Sequence, residues 1–122
     1  MRKRAEFEHI QGTGARVNTE RFVFVLAPSP LATTRLGITA SRRIGVAVAR
    51  NRAKRLVRAA FRALSELFPA GLDVVVIVRK PLGERKLGAV LDEWQGATAA
   101  LKRRAAEVLA RGAGEGNTPA RP

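Results

Sequence analysis

The sequence predicts a single-domain α+β fold in which helices pack on one sheet. Three observations predict it: a continuous apolar run at 73–79, a long stretch of helical apolar spacing on each side of it, and a length of 122 residues, enough for one modest core. Hydrophobic residues make up 46% of the chain, which is ordinary for a globular protein and argues against wholesale disorder. No internal repeat is evident.

Taken in order, residues 4–11 fit a short helix with Phe7 and Ile10 three apart on one face, broken by Gly12-Thr13-Gly14. Arg21 to Leu26 is rich in β-branched and aromatic residues and runs into Pro28-Ser29-Pro30, which reads as a strand closed by a turn. From Arg35 to Ser41, Leu36, Ile38 and Ala40 alternate with Gly37, Thr39 and Ser41. That period of two predicts a half-buried strand, paired antiparallel with the one before it. The longest helix spans Ala47 to Phe68 and stops at Pro69-Ala70-Gly71. Asp73 to Arg79, with four valines, predicts a strand in the middle of the sheet. Pro81-Leu82-Gly83 makes a turn. A second long helix then covers Glu84 to Ala110, with Leu87, Leu91, Trp94, Leu101 and Val108 at helical spacing and Trp94 as its core anchor. Gly88 and Gly96 each weaken this helix by up to ~1 kcal/mol relative to Ala. Residues 112–122 offer no core-forming side chain, so the domain is expected to span 1–111 with a flexible tail after it.

The charge narrows the function. Twenty-three Lys and Arg oppose ten Asp and Glu, for a formal net charge of +13. A domain this basic repels itself unless an anion screens it, and nucleic acid is the usual partner. None of the ten acids lies between residues 21 and 65, an interval holding ten basic residues. A merely solvated helix face would carry acids as i,i+4 partners, because like charges at that spacing destabilise a helix. At about 100° per residue from Arg50, the cations Arg50, Lys54, Arg58, Arg62 and Arg55 share one face with Asn51. Ala53, Leu56, Val57, Ala60, Leu64 and Leu67 share another. One face docks on the sheet while the other presents guanidinium groups suited to bidentate phosphate contacts, with Asn51 able to donate and accept among them. RNA and DNA fit this pattern alike. An anionic membrane fits less well, since the apolar stripe is needed for the core.

Other classes are excluded or disfavoured. There is no cysteine, which removes disulfides, thiolate metal sites and cysteine nucleophiles, and His9 is the single histidine. No apolar run follows Met1-Arg2-Lys3-Arg4 or approaches a bilayer span, so the expected location is cytoplasmic. Metal-dependent cleavage by the protein itself needs clustered carboxylates, and these are scattered; Asp92-Glu93 is the one adjacent pair, and helix neighbours do not share a face.

The run Gly37-Ile-Thr-Ala-Ser-Arg-Arg-Ile-Gly45, followed by Ala47-Val-Ala-Arg-Asn-Arg-Ala-Lys-Arg-Leu-Val-Arg-Ala-Ala-Phe-Arg62, resembles the signature of the bacterial ribonuclease P protein family. At its centre stands Arg50-Asn51-Arg52, and the Asp73-Val-Val-Val-Ile-Val-Arg-Lys-Pro81 strand follows in the right order. The resemblance covers about residues 5 to 108. It implies an α-β-β-β-α-β-α sandwich with one mainly antiparallel sheet and a left-handed β-α-β crossover, the ribosomal S5 domain 2-like arrangement. It also implies a protein subunit of ribonuclease P whose partners are the catalytic RNA and precursor tRNA, with neither membrane nor DNA. The holoenzyme is then an endoribonuclease that removes the 5′ leader of precursor tRNA. Its RNA does the cleaving with Mg²⁺, no metal is held tightly by the protein, and no residue of this chain is catalytic. The RNA-binding residues it implies are Arg42, Arg43, Arg50, Asn51, Arg52, Lys54, Arg55, Arg58 and Arg62. The leader-binding ones are Phe7, Phe22 and Phe24. The chain departs from the family pattern at Ile10 and Gln11, where a second aromatic is frequent, and at Val46, where many members have Asn. A generic basic RNA-binding protein of ribosomal type is the alternative.

Overall fold

A computed structural model describes residues 15–30 and 33–116. The helix predicted at 4–11, and Phe7 with it, lies outside the described residues. The elements are β1 (Ala15–Asn18), β2 (Phe22–Pro28), β3 (Arg35–Ala40), α1 (Ala47–Ala63), β4 (Leu72–Val78), α2 (Leu87–Gln95) and α3 (Thr98–Gly116). Short 3-10 turns precede and follow α1 at Arg42–Ile44 and Ser65–Leu67. The strands form one mixed sheet in the order β1-β2-β4-β3.

The apolar run at 73–79 is central, as its composition predicts: β4 pairs antiparallel with β2 and parallel with β3. The expected antiparallel pairing of the strand at 35–41 with the one before it is incorrect. A strand buried on both faces belongs inside the sheet, so β4 enters between β2 and β3, and α1 supplies the crossover that a parallel pair requires. The β3-α1-β4 unit is the one to which the family's crossover applies. β1, not read from residue pattern, pairs antiparallel with β2.

Alternation sends Phe22, Phe24 and Leu26 of β2 and Val74, Val76 and Val78 of β4 into the core under the helices. Val25, Ala27 and Val75 lie on the other face with Val23 and Ile77. Trp94 anchors the core: it is fully buried, with ring centroids 4.8 Å from Phe24 and 5.7 Å from Phe22, both edge-on. Glu93, its neighbour, braces the β1–β2 turn by accepting from the Arg21 backbone N–H at 2.7 Å and from the Thr19 hydroxyl.

The second long helix is two helices. Gly96 and Ala97 interrupt it, their N–H groups donating to Asp92 O and Trp94 O, and α3 starts beyond them. α3 then runs to Gly116, so residues 112–116 are helical where a tail is predicted. Extending a formed helix adds a backbone hydrogen bond without a new nucleation cost. No helix among the described residues is long and apolar enough to cross a membrane.

Candidate RNA interface

The interface is built on α1 and the turn before it. Ser41 Oγ accepts from Arg43 N–H at 3.3 Å and so caps the 3-10 turn that displays Arg42 and Arg43. Gly45 reverses the chain at φ 138°, a conformation that disfavours a side chain, and α1 begins two residues on. α1 buries Ala53, Val57 and Ala60 against the sheet. Asn51, Arg55, Arg58 and Arg62 consequently stand on an exposed ridge. Arg50 and Lys54 are half-buried along its inner edge, and Arg50 Nε is buried without a hydrogen-bond partner among the described residues.

The cations of α1 do not all face one way. Lys54, Arg58 and Arg62 line a cleft of about 340 Å³ together with Phe61 of α1 and Leu36, Gly37 and Ile38 of β3. Its floor is apolar, its rim is cationic and no acid lines it. Because β3 is an edge strand, the cleft opens at the side of the sheet. Arg52 projects from the other flank: Nη1 donates to Gly83 O at 3.1 Å and Nη2 to Arg85 O. Of the nine residues predicted to bind RNA, Arg42, Arg43, Asn51, Arg55, Arg58 and Arg62 are exposed, Arg50 and Lys54 are half-buried beside them, and the guanidinium of Arg52 is engaged within the protein.

Four of the acids are engaged elsewhere. Asp73 is held by Arg35, Glu93 by Thr19 and Arg21, Glu20 by Arg21, and Glu107 by Arg104. Among the described residues, no three His, Asp or Glu side chains come together as metal ligands would.

A family model for ribonuclease P matches residues 1–102. The ribonuclease P protein component of Desulforapulum autotrophicum is 38% identical over 91 residues, covering 75% of this chain and 78% of that protein. That of Thermotoga maritima is 40% identical over 84 residues, covering 69% and 72%. Among solved structures, the Thermotoga maritima ribonuclease P protein superposes with a TM-score of 0.72 at 34% identity, covering 84% of this chain and 94% of the other. The Staphylococcus aureus protein gives 0.73 at 27% identity, with the same coverage. The chain belongs to the ribonuclease P protein family.

Membership accounts for the acid-free stretch and for the motif at 50–52, and it makes the chain the protein subunit of ribonuclease P. One expectation within that family reading is corrected. Phe22 and Phe24 are not stacking platforms: both have 0% exposure and point into the helix-covered core, where Phe24 also stacks on Phe68 with centroids 6.1 Å apart. Strand alternation put both rings on one face, and the covering by α1–α3 makes that face the inner one. Sequence reasoning also missed members of the basic surface. Lys80 and Lys86 are exposed on the loop that Arg52 holds, and the signal for them was the scatter of cations around Pro81 and Gly83.

Proposed function

We propose that this subunit binds the catalytic RNA of ribonuclease P through the α1 ridge and assists it in capturing the 5′ leader of precursor tRNA. The RNA performs the endonucleolytic cleavage with Mg²⁺. The observation that carries this reading is the division of α1: one face is spent on the core, and the other offers Asn51, Arg55, Arg58 and Arg62 with no acid among them. Guanidinium forks match phosphate oxygens two at a time, and the Asn51 amide can donate to or accept from a ribose hydroxyl or base edge. Burial of the opposite stripe leaves no continuous apolar face for a lipid surface. In the leader reading, Phe7 is the one remaining aromatic of the three.

Among the described residues Asp73, Glu93, Glu20 and Glu107 are paired with cations, and no three carboxylates come together. In this reading the metal belongs to the RNA, and this chain contributes charge and shape. The reaction takes place in the cytoplasm, where precursor tRNA is processed.

Precursor tRNA cleavage at low Mg²⁺ by a bacterial ribonuclease P RNA, with and without this protein, tests the reading. Stimulation with correct 5′ maturation, lost in Arg55→Ala/Arg58→Ala, is the expected result. A protein that binds RNA tightly yet gives no stimulation is a generic basic RNA binder instead.

A further inference from the structure

Arg52 carries the motif's central charge pattern but does not stand on the ridge. At about 100° per residue it projects some 180° away from Phe61 and the β3 cleft. Its two terminal nitrogens reach the carbonyls of Gly83 and Arg85, on the loop 79–86 that joins β4 to α2. A guanidinium fork spans two carbonyls in this way from two separate nitrogens held in one plane, whereas a lysine ammonium offers its donors from a single nitrogen on a flexible stem. The loop is fixed at three other points. Leu82 is buried at 4% exposure, Gly83 turns at φ 60°, and Arg85 Nη1 folds back to Leu82 O at 3.3 Å.

Such a loop is held far more firmly than a surface connection needs, and its composition is basic. It carries Arg79, Lys80, Arg85 and Lys86 against one acid, Glu84, all exposed. Arg79 leans on Thr19 O at 3.4 Å and Arg85 on the loop itself. The ammonium groups of Lys80 and Lys86 have no hydrogen bond or ion pair among the described residues, and Lys86 sits at the start of α2 beside the carbonyl that Arg52 holds. Cations on a fixed backbone bind a polyanion with less loss of entropy than cations on a loose one.

We propose that loop 79–86 is a second arm of the RNA interface, meeting phosphates through Lys80 and Lys86, and that Arg52 positions this arm and does not itself contact RNA. This rests on the reading of α1 as an RNA-binding ridge and extends it. The motif's Arg50 and Arg52 then have separate tasks, one along the ridge and one in bracing the loop beside it.

The test measures binding of the full chain to a bacterial ribonuclease P RNA across a salt series. Lys80→Ala/Lys86→Ala is expected to weaken binding about 5- to 30-fold and to lower the log–log salt slope by about 1.5, as loss of two phosphate contacts does. Arg52→Ala and Arg52→Lys are both expected to weaken binding about 3- to 10-fold. Either one added to the double lysine variant should cost nothing further, since the three side chains then act as one unit. Wild-type affinity and slope in Lys80→Ala/Lys86→Ala overturns the second arm. An additive loss with Arg52→Ala, rescued by Arg52→Lys, overturns the positioning role and makes Arg52 a phosphate contact. Failure of the ridge itself is read separately, as wild-type binding by Arg55→Ala/Arg58→Ala. Thermal melting checks each variant, and the lysine pair, being on the surface, keeps the test open even where an Arg52 variant unfolds.

Discussion

Arg35 and Asp73 face each other across the parallel pair of β3 and β4, with Arg35 Nε and Nη2 donating to Asp73 Oδ1 and Oδ2 at 2.7 and 2.6 Å. The pair ties the edge strand that forms one wall of the cleft to the centre of the sheet. Its members are unequal. Asp73 has 3% exposure, whereas the Arg35 side chain keeps 21%. Removing the arginine strands a carboxylate in the core, while removing the aspartate leaves a guanidinium that can turn to water. Arg35→Ala is expected to cost about 3 kcal/mol and Asp73→Ala about 1–2 kcal/mol, measured by urea unfolding. Equal losses would show that the pair is more solvated than its geometry implies.

Phe24 separates packing from leader recognition. Its ring packs against both Trp94 and Phe68 with no exposure, so Phe24→Ala is expected to cost about 3–5 kcal/mol of folding stability. Phe24→Leu, which keeps most of the volume, should cost clearly less and leave leader-length dependence of precursor tRNA binding unchanged. A leader defect in a fully folded Phe24→Leu protein would return this ring to the binding surface.

Elements whose identity depends on local pattern were legible in the sequence. The valines of β4 announced a central strand, and the spacing of Ala53, Val57 and Ala60 against Asn51, Arg55, Arg58 and Arg62 announced both faces of α1. Pairing was not legible, because Leu36, Ile38 and Ala40 have the same alternation whether their neighbour is β2 or β4. The fate of Phe22 and Phe24 depended on which side of the sheet the helices cover, a tertiary fact that a period of two cannot carry. Arg52 was misplaced for a related reason. Its charge matches the ridge, but its hydrogen-bond acceptors lie about thirty residues away on a loop backbone.

Val46 occupies the N-cap of α1 in extended conformation, makes no side-chain capping bond and is 73% exposed. A helix start without a cap leaves N–H donors to water. Val46→Asn is therefore expected to stabilise the protein by about 1 kcal/mol and raise the melting temperature by a few degrees. Calorimetry of the two proteins decides it. No gain would mean that the neighbouring 3-10 turn prevents the side chain from folding over the helix end.

Gly45 links stability to the interface. At φ 138° it lies where side chains are disfavoured, and a Cβ placed there would come within 3.1 Å of the Ala49 Cβ on the first turn of α1. Ala49 belongs to the helix backbone's own neighbourhood and cannot swing away as a long side chain would. Gly45→Ala must therefore shift either α1 or the 3-10 turn that displays Arg42 and Arg43. Thermal unfolding is expected to show a loss of about 1–3 kcal/mol. RNA affinity at temperatures where the protein stays folded should fall as well, because the turn's two cations lose their register with Asn51 and Arg55. Gly45→Ala with reduced stability but wild-type RNA affinity would show that Arg42 and Arg43 lie outside the contact.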